Sequence, residues 1–333
     1  MNEAIKKLIQ EAEAAHKPED SLPWEADKPF KQALHTYNPT TDKWEPTPSH
    51  PFPSATITQL ALFSWNIDFM LPHSSSRMNS ALSELSTQLR ALPPSTASVI
   101  FLQECTPSDL DVIGATNWVR SAFARTDVNS EGWASGMYGT TTLVDKRLSV
   151  KEVFRVHFSL TKMERDALFV DIMLQGNEEK KIRFCNAHLE SLAREPAYRP
   201  PQAALAAKFM REEGVHGAVL AGDLNAIEPF DRSLHSVNNL YDAYLSLGGA
   251  EDSEEGYTWG QQAAPELRQM YGCSRMDKVW YCGGVTVPKF ARFGADVEVD
   301  DDKEKKAIKR WGGFEKAWVT DHLGVRAVVD VVD

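Results

Sequence analysis

No apolar run in this 333-residue chain approaches the length that crosses a bilayer, and the opening M-N-E-A-I-K-K-L-I-Q is no secretory leader. A soluble, intracellular protein is therefore expected. Positive charge is also short: 36 Lys and Arg against 47 Asp and Glu leave a formal net charge of −11. That balance argues against a broad, sequence-independent coat on nucleic acid, while a local basic groove stays compatible with it. Cysteine is sparse. Cys105, Cys185, Cys273 and Cys282 show no C-x-x-C spacing and have no histidines at zinc-site spacing. Four reduced thiols are expected. No internal repeat is visible.

What is present divides at about residue 57. Residues 1–17 carry Ile5, Leu8, Ile9 and Ala12 at helical spacing. Residues 18–57 are rich in Pro, Thr, Ser and charge and read as an extended or partly disordered arm, with Phe30 and Trp44 as docking points. The Pro-rich stretch ending near Ser54 marks the boundary. From 58 to 333 the pattern turns to short apolar β-type runs: 59–65, 98–102, 139–144, 167–174, 181–187, 217–221, 278–282 and 323–332. Helical stripes lie between some of them, with Leu82, Leu85 and Leu89 in 77–92 and Leu205, Phe209 and Met210 in 201–213. This mixture predicts an α+β fold, an αββα sandwich in one domain. Residues 296–310, acidic and then basic, read as a solvated surface loop, with a phosphate-facing basic edge or an import signal as the alternative.

The residues after or before these runs carry the functional signal. Asn66 and Asp68 follow one run, Gln103 and Glu104 another, His188 and Glu190 a third, and Asp223 and Asn225 a fourth. Arg275 and Asp277 precede the run at 278–282, and Asp321 and His322 precede the last. Side chains two apart on a strand share a face, so Asn66/Asp68 and Asp223/Asn225 each offer two polar groups to one side. An Asp or Asn after a strand is by itself a turn residue. Six strand ends of the same chemistry are not expected from independent turns.

In order, W-N-I-D (65–68), L-Q-E (102–104), H-L-E-S (188–191), G-D-L-N (222–225), R-M-D-K-V-W-Y (275–281) and T-D-H-L-G-V (320–325) resemble the motifs of the endonuclease/exonuclease/phosphatase superfamily. That superfamily includes DNase I, deadenylases, neutral sphingomyelinases and inositol-polyphosphate 5-phosphatases. The resemblance spans 58–333 and implies a DNase I-like, four-layer αββα sandwich with two mixed sheets. Within it, T-K-M-E-R (161–165), Y-T-W (257–259) and the motifs above are most similar to the 5′-tyrosyl-DNA phosphodiesterases.

The resemblance implies a phosphodiester hydrolase. Such a site needs positive charge at the phosphate, and an acidic, cysteine-free cluster suits a hard divalent ion, Mg²⁺ with Mn²⁺ as a substitute. Glu104 would be the central metal ligand, helped by Asp68, Asn66 and Asp321. Asp223 would orient and deprotonate the attacking water, and Asn225 and Asn66 would hold Asp223 or the phosphate. His322, oriented by Asp277, would bind a phosphoryl oxygen, with His188 as a second contact. Tyr257, Trp259 and Arg275 would touch substrate. The implied substrate is DNA with a 5′-phosphotyrosyl adduct at a single-stranded end, met by a monomer in the nucleus or cytoplasm with no membrane partner. Another phosphoester (a nucleic acid, a poly(A) tail, an inositol phosphate or a phospholipid head) is the alternative, and a non-catalytic binding protein on the same fold a third. One departure stands out. Where that branch typically has Arg two residues after the Asn of G-D-x-N, this chain has Ile227.

Overall fold

The computed structural model describes residues 21–47, 57–174 and 177–332, with scattered positions before residue 21. Ile5, Leu8, Ile9 and Ala12, which carry the helix expected over 1–17, and the Pro-rich boundary near Ser54 fall outside the described residues. The strands are β1 (Pro29–Gln32), β2 (His35–Asn38), β3 (Lys43–Pro46), β4 (Gln59–Asn66), β5 (Thr96–Cys105), β6 (Phe123–Arg125), β7 (Gly139–Asp145) and β8 (Val150–His157). They continue as β9 (Asp166–Leu174), β10 (Asn177–His188), β11 (Val215–Asp223), β12 (Tyr241–Asp242), β13 (Asp277–Gly283), β14 (Val285–Phe293) and β15 (Gly324–Val331). Among the described residues they form one sheet in the order β1-β8-β9-β10-β11-β13-β12 and another in the order β14-β15-β4-β5-β7-β6-β2-β3. Each sheet is mixed, because β10/β11 and β4/β5 run parallel among antiparallel neighbours.

Period-two alternation explains the layering. Leu62, Val99, Phe101, Phe184, Val219 and Val279 point inward and pack sheet on sheet. Their neighbours Phe63, Trp65, Ile100 and Leu102 face out against the helix Ser74–Arg90, through Met78, Leu82 and Leu85. On the other sheet Cys185, Ala187 and Leu220 face out against the helix Arg199–Met210. Helix, sheet, sheet, helix is the expected four-layer sandwich. On the inner faces the same alternation ends in polar residues: Leu62–Ser64–Asn66, Val99–Phe101–Gln103, Phe184–Asn186–His188, Val219–Ala221–Asp223. The four cysteines are free thiols.

Two expectations need correction. Much of the supposed arm is sheet: β1 pairs with β8, and the β2–β3 hairpin pairs with β6, so residues 29–46 close an edge of each sheet. Their alternation is weak because strands at or next to a sheet edge are only half-buried here. Trp44 fastens the hairpin, donating from Nε1 to the Gly114 carbonyl at 3.1 Å while the Arg125 guanidinium lies 4.3 Å over its ring. The expected loop at 296–310 runs into the helix Asp302–Gly312, capped by Asp301, whose carboxylate accepts from the Lys303 and Glu304 amides at 2.9 and 3.0 Å. Its single buried apolar residue, Ile308, makes the stripe too thin to read.

Trp44→Ala removes both the hydrogen bond and the cation–π contact. It is expected to cost about 2–3 kcal/mol, measured as a lowered urea midpoint with an unchanged slope.

Candidate active site

The carboxyl ends of β4, β5, β10 and β11 and the start of β13 meet at one end of the sandwich. In the first sheet the register sets His188 beside Asp223 and Asp223 beside Asp277, in a single row across three strands. Gly222 allows this close packing, since a Cβ there would lie 1.7 Å from the Ala187 carbonyl oxygen. Across the cleft Asn66 of the second sheet donates from Nδ2 to Asp223 Oδ2 at 2.9 Å. The segment before β15 joins in, with Trp65 Nε1 donating to the His322 carbonyl at 3.1 Å and Thr320 Oγ1 to the Asn66 carbonyl at 2.8 Å.

Shared strand faces do not account for the two Asn/Asp pairs, however. β4 ends at Asn66 and β11 at Asp223, and the chain then turns with φ of 53° at Asp68 and 47° at Asn225. Asn66 Oδ1 accepts from the Asp68 amide at 2.8 Å and Asp223 Oδ1 from the Asn225 amide at 2.9 Å. Each pair is an Asx turn, so the turn residue and the site residue are the same side chain. Glu104 needs a different device. Alternation would send it outward, but the register shifts between Leu102 and Cys105 and Glu104 has φ 57°, a bulge that swings its carboxylate inward. There Oε2 accepts from the Phe69 amide at 3.1 Å and Oε1 lies 3.7 Å from His188 Nε2.

Two triplets of ligand atoms, Glu104–His188–Asp223 and Asp223–Asp277–His322, each gather within 4.8 Å and are of the type that holds a metal ion. Asp68 and Asp321 stand outside these triplets. Asp68 Oδ1 accepts from the Met70 amide at 2.9 Å and Asp321 Oδ2 from Trp259 Nε1 at 2.7 Å. They still share the field of the cluster: burial pushes both carboxyls up, and Asp68 is raised further by Asp321 and Glu104.

The histidines differ in charge. Burial disfavours the cationic form of His322, but Asp277 and Asp223 outweigh burial and hold its pKa well above the usual value. Nδ1 bonds Asp277 Oδ2 at 2.8 Å, and Nε2 lies 3.8 Å from Asp223 Oδ2. Burial in turn lifts Asp277 to about 6 despite the pull of His322. Both are charged at neutral pH. Asp223 shows the opposite balance: burial raises it, yet His322 and His188 draw it below the usual carboxylate range. Burial and then Arg165 lower His188, which is neutral. Arg165 Nη1 lies 2.6 Å from His188 Nδ1. A guanidinium only donates, so Nδ1 accepts and Nε2 carries the proton. That Nε2–H is buried without a hydrogen-bond partner and lies 3.4 Å from Asp223 Oδ2.

Ten of the expected residues thus cluster or flank the cluster: Asn66, Asp68, Glu104, His188, Asp223, Asn225, Asp277, Asp321, His322 and, through its bond to Asp321, Trp259. Asn225 is anchored, donating from Nδ2 to the Leu189 carbonyl at 3.0 Å. Tyr257 is half-buried, and its main-chain carbonyl accepts from Arg292. Arg275 is a correction. Its side chain is fully buried, donates to both oxygens of Asp242 at 3.0 and 2.8 Å and pairs with Glu251, so no substrate reaches it. A buried guanidinium paired through Nη1 and Nη2 with two carboxylates is a structural ion pair. Sequence reasoning quoted the motif holding Arg165 but gave that residue no role. It also passed over Thr258, whose hydroxyl accepts from the Asp277 amide at 2.9 Å. Ile227 is 40% exposed.

Fold and site define an αββα sandwich with an acidic, histidine-bearing centre at its converging strand ends. The chain belongs to the Endonuclease/Exonuclease/phosphatase family, whose model matches residues 63–322. It is 27% identical over 250 residues to tyrosyl-DNA phosphodiesterase 2 of Homo sapiens, covering 74% of this chain and 63% of that one. It is 29% identical over 231 residues to the protein of that name from Rattus norvegicus, covering 67% and 57%. The chain therefore spans less than two thirds of the length of these curated relatives. Among solved structures, D. rerio TDP2 complexed with single strand DNA product superposes with a TM-score of 0.61 at 19% identity, over 82% of this chain and all of that one. This last likeness is one of fold.

His322 lies above its unfolded value of about 6.5, so its pairing stabilises the fold below that pH, and the stabilisation fades as pH rises through the folded value. Asp277→Asn removes the main partner. It is expected to lower the His322 pKa by about one unit or more, followed by imidazole NMR titration.

Proposed function

We propose that the chain is a Mg²⁺-dependent phosphodiesterase that hydrolyses the bond between a 5′ DNA phosphate and a tyrosine side chain, acting as a monomer on single-stranded ends in nuclear DNA repair. One observation carries the chemistry. A cationic His322, fixed by Asp277, stands beside a carboxylate, Asp223, that Asn66 and the Asn225 amide hold in place. The names of the relatives and the DNA product bound to the D. rerio protein support the substrate.

In this reading the attacking water is oriented by Asp223. The lowered pKa makes that carboxylate a weak base at rest, so orientation is its first task, and the water proton passes to it as the P–O bond forms. His322 donates from Nε2 to a phosphoryl oxygen on which charge builds, and the unpartnered Nε2–H of His188 gives the same oxygens a second donor. The bond to the tyrosyl oxygen breaks, leaving a 5′ phosphate. A phenol has a pKa of about 10, so its phenolate leaves without a strong acid. Glu104, with Asp68 and Asp321 beside it, would hold the metal. The donor set fits in kind: three carboxylates offer hard oxygens, and burial, with neighbouring carboxylates adding to it, raises Asp68 and Asp321. Bound Mg²⁺ supplies positive charge at the phosphate.

Glu104→Gln, Asp223→Asn and His322→Ala are each expected to lower kcat by roughly 10²- to 10⁴-fold with unchanged circular dichroism, and EDTA to abolish turnover. The substrate assay compares a 5′-phosphotyrosyl oligonucleotide with poly(A), sphingomyelin and an inositol phosphate. Cleavage of another member of the panel but not the first moves the reading to that substrate. Full activity in Asp223→Asn overturns the mechanism.

A further inference from the structure

Beneath the acidic cluster lies a cation with no role in the chemistry above. Arg77, in the first turn of the helix Ser74–Arg90, has no solvent exposure. Nε donates to the Pro72 carbonyl at 3.0 Å, Nη1 to those of Ile67 and Val319 at 2.5 and 2.7 Å, and Nη2 to those of Asp68 and Leu71, both at 2.9 Å. A guanidinium has five N–H donors, and all five are used here on main-chain oxygens.

Those oxygens come from two separate segments. Four belong to the turn 67–72 that follows β4, and the fifth belongs to Val319, two residues before Asp321. The turn carries Asp68 itself. It also carries the Phe69 amide that donates to Glu104 Oε2 at 3.1 Å. Every carboxylate assigned above to the metal thus hangs on a segment that Arg77 grips or that bonds to one it grips. A second tie joins the same two segments, the 2.8 Å bond from Thr320 Oγ1 to the Asn66 carbonyl.

We infer that Arg77 is a positioning residue for the metal, tying the turn that carries Asp68 and bonds Glu104 to the segment that carries Asp321. The inference rests on the metal reading of the site. Lysine at 77 keeps the charge but has three donors in place of five and no planar fork.

The test is calorimetric titration of the full chain with Mn²⁺, alongside Arg77→Lys and Thr320→Val. Loss of partners that orient ligands commonly weakens metal binding by 10–100-fold. Arg77→Lys is expected to bind Mn²⁺ at least ~10-fold more weakly than the unsubstituted chain. Its cleavage of bis(p-nitrophenyl) phosphate should recover at saturating Mn²⁺, so that the metal requirement moves while kcat returns. A merely structural arginine would lower the melting temperature and leave Mn²⁺ affinity of the folded protein where it was. A folded Arg77→Lys with affinity within about twofold of the original overturns the inference. If that variant does not fold, Thr320→Val decides: weakened Mn²⁺ binding upholds the inference and unchanged binding overturns it. Failure of the unsubstituted chain to bind Mn²⁺ overturns the metal reading, and the inference with it.

Discussion

The hydrogen bond from Asn66 to Asp223 is the contact on which the site depends. It joins the ends of two strands from different sheets, both buried, at 2.9 Å. One layer deeper, Gln103 Nε2 donates to Asn186 Oδ1 at 2.8 Å, again from sheet to sheet. Between apolar sheets, sliding costs little as long as oily surface meets oily surface. Buried amides change that, because a slip of one residue leaves donors and acceptors unpaired in a medium where each costs roughly 1–3 kcal/mol. These polar bridges select one register of the sandwich, and that register brings the five strand ends together.

Burial then shapes the electrostatics. Carboxylates crowded in a dry cleft resist ionisation, as Asp68, Asp277 and Asp321 do. The fold answers with fixed cations close by: His322 against Asp277, Arg165 behind His188, Arg77 below the 67–72 turn. One histidine stays charged because two carboxylates outweigh burial, and the other stays neutral because burial, helped by an arginine, outweighs the carboxylates it faces. Two residues of the same type therefore enter a phosphate site in different states.

Much of this was legible along the chain. The apolar runs marked β4, β5, β7, β9, β10, β11, β13 and β15, since those strands lie in the interior of the sheets and alternate cleanly. The edge strands β1, β3 and β14, the hairpin strand β2 and the short β6 and β12 escaped notice because half-buried or brief segments carry little pattern. β8 escaped for another reason. Its V-F-R-V-H buries Arg155 and His157, and Arg155 is neutralised by Asp127 and Asp166 at 2.9 and 2.6 Å, partners distant in sequence. The same blindness made Arg275 look like a substrate contact, since nothing in R-M-D-K announces Asp242 and Glu251.

The sequence alone determined which chemistry was present. Polar residues closing inner-face apolar runs are a local fact, readable because strand alternation has a fixed period of two. Where those residues point was decided in three dimensions. Asp68 and Asn225 leave their strands through Asx turns, Glu104 is swung inward by a bulge, and the two histidines take their charges from groups on other elements. The Asx turns are local, but the bulge and the two charges depend on neighbours distant in the chain. Electrostatic state and exact direction are therefore properties of the packed sandwich, while the inventory of groups is a property of the sequence.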